Sequence, residues 1–183
     1  MSTRLLPKPS RNSVNRDHSA CKASPLRRYL GEPRSTYNQD CQPISDSNKR
    51  LKRLIVTEDV GPFKVTGLKP AVRRLRSALE EVKTRFPELY DQLGTAGMLC
   101  CRYVRGSRTA ISNHSWGTAI DFTIGGKLDE RGNNKVQAGL FDLYSVLKKY
   151  GFYWGVSFGT EDAMHFELSD ETIREMAKQG EFR

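Results

Sequence analysis

Residues 112–124 read SNHSWGTAIDFTI, and the last seven of them alternate between the two faces of a strand. Ile120, Phe122 and Ile124 share one face, because successive side chains of a strand point to opposite sides. This apolar face must lie on the core. Asp121 then points away from the core, as a carboxylate held on a rigid strand.

A second stretch, DAMHFEL at residues 162–168, repeats this arrangement. Its apolar residues occupy alternate positions and face inward, so His165 faces outward. If the two strands lie side by side, His165 and Asp121 face the same cleft. His114 stands seven residues before Asp121, and the flexible turn at Gly117 can fold it back over the strand.

Two imidazoles and one carboxylate that converge with a fourth position open are typical of a catalytic zinc site. His114, Asp121 and His165 are the candidate ligands. Asp162, three residues before His165, is placed to accept a proton from a water at such a site. The same side chains are also common as polar residues on the surface of a sheet, so spacing alone leaves both interpretations open.

The remaining pattern predicts a mixed domain. Helices and strands follow one another without regular alternation, and the hairpin-like strands come late in the chain. This favours an α+β fold with a small antiparallel sheet flanked by helices. The predicted helices span residues 70–86, about 134–150 and 170–178, and the predicted strands span 98–104, 118–124, 152–154 and 164–168.

The positive charge is concentrated at the N-terminus. The 183 residues carry a formal net charge of +9, and residues 1–50 hold ten Lys and Arg against four Asp and Glu. Their aliphatic side chains are too few to offset the ordering entropy of the segment alone. We predict a basic, Ser/Pro/Arg-rich arm over residues 1–50, partly ordered at best, and one folded domain over residues 51–183.

Such an arm suits an electrostatic contact with nucleic acid, anionic lipid or an anionic cell-wall polymer, or simply aids solubility. The charge is not accompanied by interleaved aromatics or by a nucleic-acid-binding motif, which disfavours nucleic acid as a partner. No apolar run approaches the ~20 residues of a membrane span. The first thirty residues lack the ~7–15-residue apolar core of a secretory signal, so we expect synthesis in the cytoplasm. We also expect a monomer.

Four cysteines, at positions 21, 41, 100 and 101, are too few and too unevenly placed to predict a disulfide framework. They do allow one alternative chemistry, a cysteine hydrolase that uses Cys100 or Cys101 with His114. Adjacent residues of a strand point to opposite faces, so at most one of the two cysteines would reach the cleft. This alternative leaves the two strand motifs unexplained.

Both motifs have a known counterpart. Residues 112–121, SNHSWGTAID, resemble the Ser-x-His-x-x-Gly-x-Ala-x-Asp motif of the D-alanyl-D-alanine carboxypeptidase family of zinc peptidases. Residues 162–167, DAMHFE, resemble the closing motif of that family, in which an acidic residue stands three before the last histidine. The resemblance runs from about residue 98 to 168, is weaker from residue 59 onward and leaves residues 1–50 uncovered. The two motifs in this order are highly specific.

The resemblance implies zinc as the cofactor, with His114, Asp121 and His165 as its ligands and Asp162 as the general base. Several members of the family carry glutamate at the base position, and Glu161 stands next to Asp162 in this chain. We prefer Asp162 because it keeps the three-residue offset from the histidine.

Three further candidates accompany the ligands. Arg102 lies in a segment that resembles the oxyanion-stabilising stretch of the family, and the predicted strand allows only one of Arg102 and Arg105 into the cleft. Ser112 matches a family position that contacts substrate. Glu167 shares a face with His165 and would orient that ligand, unless it is simply a carboxylate facing solvent.

The family includes D,D-carboxypeptidases, a vancomycin-resistance dipeptidase and phage endolysins that cut the L-alanyl-D-glutamate bond. The resemblance therefore implies a zinc-dependent peptidase that hydrolyses peptidoglycan stem peptides and acts in the periplasm or cell wall after release or injection. Residues 51–183 would be the peptidase domain, and the basic arm would contact an anionic cell-wall polymer. The alternative is a non-catalytic, zinc-containing cell-wall-binding module on the same fold.

Overall fold

The computed structural model describes residues 2–183 and shows the α+β fold that the sequence predicts. The helices are α1 (Ala23–Leu30), α2 (Lys49–Leu54), α3 (Lys69–Arg85), α4 (Pro87–Tyr90), α5 (Ala138–Leu147) and α6 (Asp170–Lys178). The strands are β1 (Leu5–Pro7), β2 (Ile55–Asp59), β3 (Lys64–Leu68), β4 (Leu93–Gly97), β5 (Ala119–Ile124), β6 (Lys127–Leu128), β7 (Lys135–Gln137), β8 (Phe152–Trp154) and β9 (His165–Leu168). Short 3-10 turns cover Arg11–Ser13, Asn113–Trp116, Lys148–Tyr150 and Gly155–Ser157.

The main sheet is antiparallel and runs in the order β4-β5-β9-β8, with β6 paired to the end of β5. β5 is an interior strand, since it pairs with β4 on one side and with β9 on the other. Its apolar side chains, Ile120, Phe122 and Ile124, are fully buried. The pairing of β5 with β9 sets Asp121 directly opposite His165. The two strands therefore lie side by side, as the sequence predicts. Two smaller antiparallel pairs, β1 with β7 and β2 with β3, flank the sheet.

Helix α3 forms because apolar residues recur at helical spacing after a proline that suits the first turn. Its buried stripe includes Val72, Leu75, Leu79 and Val82, and the helix packs on α5 and β3. At the other end of the chain, the Ser169 hydroxyl accepts a hydrogen bond from a first-turn amide and caps α6.

Two predicted elements differ from the structure. The predicted strand at residues 98–104 is not a regular strand. β4 ends at Gly97, and the segment after it forms only isolated bridges, Cys101 with Gln42 and Tyr103 with Ile111. The predicted helix at about 134–150 begins only at Ala138. The three residues before it form β7, since they pair with β1 from the N-terminus, a partner that local pattern does not reveal.

The N-terminal fifty residues also differ from the expected, partly ordered arm. Four of their six aliphatic side chains are buried in the core that residues 51–183 form, and β1 pairs with β7. The segment does not have to repay its ordering entropy alone, because it completes an apolar core supplied by later elements. The buried residues of the segment include Val14, Leu26, Leu30 and Ile44.

Among residues 2–183, no helix combines the length and the apolar character that crossing a membrane requires.

The burial of Leu26 predicts that the N-terminal segment contributes to global stability. We expect Leu26→Ala to lower the free energy of unfolding by about 2–5 kcal/mol, because it leaves a cavity in the core. Leu5→Ala is the control from the same segment, since Leu5 is 49% exposed, and it should change stability by at most about 0.5 kcal/mol. Urea denaturation followed by circular dichroism measures both. Equal, small effects would mean that the segment is not part of the core.

Candidate active site

His114 is folded over β5 by the turn that precedes the strand. It lies in the 3-10 turn Asn113–Trp116, and Gly117 ends this turn with a φ of +66°. A Cβ at Gly117 would lie 2.7 Å from the amide nitrogen of Leu68, so only glycine fits both the left-handed backbone and the close approach to β3.

Three donor atoms from distant parts of the chain meet at one point. Asp121 Oδ1 lies 3.2 Å from His114 Nε2 and 3.0 Å from His165 Nδ1, and these two nitrogens are 3.2 Å apart. Both imidazoles are buried, and the carboxylate is partly exposed. The structure thus brings together the three residues that the sequence singles out as ligands.

Each imidazole has one nitrogen that faces Asp121 and one outer nitrogen that faces away from it. The partner of the outer nitrogen determines whether the nitrogen that faces Asp121 can donate a lone pair. His114 Nδ1 lies 2.9 Å from the carbonyl oxygen of Met98, and His165 Nε2 lies 3.0 Å from Glu167 Oε2. A carbonyl and a carboxylate only accept hydrogen bonds, so in the neutral form of each ring the proton lies on this outer nitrogen. The nitrogens that face Asp121 then present lone pairs.

This donor set fits a divalent cation. Three lone-pair donors within about 3 Å of one another repel unless a positive charge lies among them. Two imidazole nitrogens and one carboxylate oxygen are the donors that a catalytic zinc site uses, with one position left open.

The electrostatics of the cluster also favour positive charge. Burial alone would raise the pKa of Asp121, but the two imidazoles outweigh it and hold that pKa well below its usual range. Burial would lower the pKa of His165, but hydrogen bonds to Asp121 and Glu167 outweigh it and raise that pKa to about 10. The carboxylates therefore stabilise a cation at this position, whether it is a proton or a metal ion.

The three donors lie in a cleft of about 1120 Å³. This volume slightly exceeds the range of about 300–1,000 Å³ that is typical of small-molecule sites, which leaves room for a peptide. Four of its charged residues are basic: Lys22, Arg102, Arg105 and Arg131. Five others are acidic, among them Asp121, Asp162 and Glu167, so the cleft offers partners of both signs to a bound peptide.

Asp162 lines this cleft beside the three candidate ligands. Its carbonyl oxygen accepts a hydrogen bond from the amide of His165 at 3.1 Å, and its own amide donates to the carbonyl of Gly155. A Cβ at Gly155 would lie 2.7 Å from that Asp162 carbonyl, so the close approach of the two segments requires glycine.

The carboxylate of Asp162 is only partly engaged by protein. Oδ2 lies 3.6 Å from Arg131 Nε, while Oδ1 is buried and has no hydrogen-bond partner among residues 2–183. Burial raises the pKa of Asp162, and the nearby His165 and Arg131 oppose this rise. One oxygen of a raised-pKa carboxylate is thus free to exchange a proton.

Glu161, the neighbouring candidate for the base, is engaged elsewhere. Its Oε1 accepts a hydrogen bond from the amide of Asn134, and its Oε2 lies 3.6 Å from Lys8 Nζ. It is not among the residues that line the cleft. The arrangement of the two carboxylates therefore favours Asp162 over Glu161.

Arg102 lines the cleft as the sequence predicts, but Arg105 lines it too. The expectation that only one of them enters is wrong, because residues 98–104 are not a regular strand and Arg105 lies in the following turn. Arg102 is half-buried, and its Nη1 donates to the carbonyl of Tyr103 at 3.2 Å. Its remaining donors are available to a bound group.

Ser112 and Glu167 both lie at the site. Ser112 is buried at the cleft wall, and its amide donates to the carbonyl of Arg102 at 3.1 Å. Glu167 is not a solvent-facing carboxylate. Its Oε2 accepts from His165, and its Oε1 accepts from the amide of Cys21 at 3.1 Å.

The cysteines do not supply a nucleophile. Cys100 lines the cleft but forms a disulfide with Cys41, a pairing that the sequence did not predict. Cys101 is fully buried, and burial raises the pKa of its thiol to about 11. Neither offers the thiolate that a cysteine hydrolase needs.

Sequence reasoning missed two contacts at the site, the ion pair of Arg131 with Asp162 and the amide of Cys21 on Glu167. Arg131 lies in a charged loop without periodicity, and Cys21 acts through its backbone. Neither feature leaves a signal in the pattern of side chains.

A cleft with two imidazoles and a carboxylate at its centre, on an α+β fold, defines a candidate metal-dependent hydrolase. Residues 105–168 match the family model described as D-alanyl-D-alanine carboxypeptidase. The match covers the segment that holds both motifs and confirms the resemblance that they predict. It contains all three ligand candidates, Ser112, Asp162 and Glu167, while Arg102 precedes it. No curated protein matches the chain at a significant level.

Glu167 provides the first test of the centre. Its two oxygens accept from two donors, and glutamine has only one oxygen, so Glu167→Gln leaves either His165 or the Cys21 amide without its acceptor. We expect metal affinity to fall about 10–100-fold, the usual effect of losing a partner of a metal ligand.

Competition with a chromogenic chelator measures this affinity. Glu175→Gln, which alters an exposed carboxylate on α6, is the control and should bind metal like the wild type. Unchanged affinity in Glu167→Gln would contradict the positioning role of Glu167.

Proposed function

We propose that this chain is a zinc-dependent peptidase that hydrolyses stem-peptide bonds of peptidoglycan, as a D,D-carboxypeptidase or endopeptidase or as an L-alanyl-D-glutamate endopeptidase. The observation that carries this proposal is the convergence of His114, Asp121 and His165 in a cleft that Asp162 and Arg102 also line. The site of action is the periplasm or cell wall. The arginines of the cleft wall, Arg102, Arg105 and Arg131, support such a substrate, because stem peptides carry free carboxylates with which they would pair.

His114 Nε2, Asp121 Oδ1 and His165 Nδ1 would hold the zinc ion. The bound ion supplies Lewis-acid chemistry, since it polarises a carbonyl and acidifies water. The same donor types also occur in iron(II) sites, so the choice of zinc rests on the family and is open to elemental analysis.

The side chains of the cleft would carry out the rest of the reaction. Asp162 accepts a proton from the attacking water as the new C–O bond forms, and the carbonyl oxygen of the substrate becomes an oxyanion. Arg102 donates hydrogen bonds to that oxyanion. Asp162 then returns the proton to the departing nitrogen as the C–N bond breaks, which leaves a carboxylate and an amine as products.

The non-catalytic alternative lacks a specific observation in its favour. A module that only binds cell wall needs neither a free carboxylate oxygen beside the candidate ligands nor a half-buried arginine in the same cleft. Exposed arginines of residues 1–50, such as Arg4, Arg16, Arg27 and Arg28, suit an anionic cell-wall polymer, the partner that we propose for this segment.

The assignment of the base predicts opposite outcomes for two neighbouring carboxylates. Asp162→Asn should retain stoichiometric zinc but lose at least about 10²-fold in kcat, because the amide cannot accept a proton. Glu161→Gln should keep most of its turnover, since Glu161 contacts Asn134 and Lys8 instead of the cleft. If Glu161→Gln loses turnover while Asp162→Asn does not, the base is Glu161.

The activity itself is tested by mass spectrometry of purified muropeptides incubated with the protein. We expect cleavage products whose masses identify the cut bond, loss of cleavage with a chelator, and recovery on addition of zinc but not of iron(II). Asp162→Asn is the matched control for a contaminating hydrolase. A protein that binds zinc stoichiometrically but leaves every muropeptide intact would be the binding module.

A further inference from the structure

The N-terminal segment contacts a neighbour of each candidate histidine ligand through one residue, Cys21. We call residues 19–23 the bridging segment. The amide of Cys21 donates to Glu167, whose other oxygen accepts from His165. The carbonyl of the same Cys21 accepts at 2.8 Å from Nδ2 of Asn113, the residue before His114. One peptide backbone thus contacts the supports of two ligands.

The position of this backbone is set from outside the site. The amide of Ser19 donates to Glu171 Oε2 at 2.9 Å, and the carbonyl of Ser19 accepts from the amide of Asp170 at 3.0 Å. Both partners belong to the first turn of α6, which directly follows β9. After Cys21, the chain enters α1, whose Leu26 is fully buried. The bridging segment is therefore fixed at both ends.

We propose that the bridging segment is a positioning element of the metal centre, which couples the turn that carries His114 to the strand that carries His165 through the backbone of Cys21. The inference rests on the proposed function, because it presupposes that the two histidines hold a metal ion. The Cys21 amide holds Glu167 in the position in which it orients His165. The Cys21 carbonyl holds Asn113, and with it the turn of His114.

The contribution of the amide is isolated by two substitutions at one position. Cys21→Pro removes the N–H donor, whereas Cys21→Ala keeps it, and both remove the thiol. We expect Cys21→Ala to bind zinc within about twofold of the wild type. We expect Cys21→Pro to bind about tenfold or more weakly, the lower end of the effect of losing a partner of a metal ligand.

Asn113→Ala tests the second contact without changing the bridging segment. It removes the donor to the Cys21 carbonyl, and we expect zinc affinity to fall about three- to tenfold, as for one lost hydrogen bond. Asn12→Ala, at an exposed asparagine away from the cleft, is the control. This variant decides the matter if Cys21→Pro does not fold.

Hydrogen exchange of the 183-residue chain gives a readout that a merely structural role would not move. Zinc should slow exchange at the Cys21 amide, because it immobilises His165 and thereby Glu167. Wild-type affinity in Asn113→Ala together with zinc-independent exchange at Cys21 would overturn the inference. If the wild type itself binds no metal, the proposed function fails instead.

Discussion

The antiparallel pairing of β5 with β9 places Asp121 directly opposite His165, and every feature of the site depends on that register. Side chains alternate along a strand, so a slip of one residue would turn either the carboxylate or the imidazole into the core. Ile120 opposite Phe166 prevents the slip, because both are fully buried and would have to become exposed. The apolar face of the sheet thus determines the geometry of its polar face.

Polar groups this close together in a protein interior are costly unless each has a defined partner. The carbonyl of Met98 and the carboxylate of Glu167 occupy the outer nitrogens of the two histidines, which directs the inner nitrogens toward Asp121. This support orients both rings before any ion binds. The centre is therefore preorganised, which lowers the free-energy cost of assembling it around a metal.

The cleft combines contributions from all parts of the chain. Asp162 comes from the turn before β9, Arg102 from the extended segment after β4, and Lys22 from the N-terminal segment that closes one side. Buried aliphatic residues of the first fifty positions hold that segment on the common core. The N-terminal segment thus both completes the core and forms part of the cleft wall.

The local sequence pattern determined much of the fold and of the candidate site. Alternation in residues 118–124 and 162–168 assigned the faces of two strands, helical spacing predicted α3, and the residue types on the polar faces predicted a metal centre. These features are readable because side-chain periodicity follows from backbone geometry. Tertiary structure alone decided the burial of aliphatic side chains from the first fifty residues, such as Leu26 and Leu30, the hydrogen bond of the Cys21 amide to Glu167 and the ion pair of Arg131 with Asp162. Each of these joins segments that are far apart in sequence through loops or backbone atoms, which no local periodicity encodes.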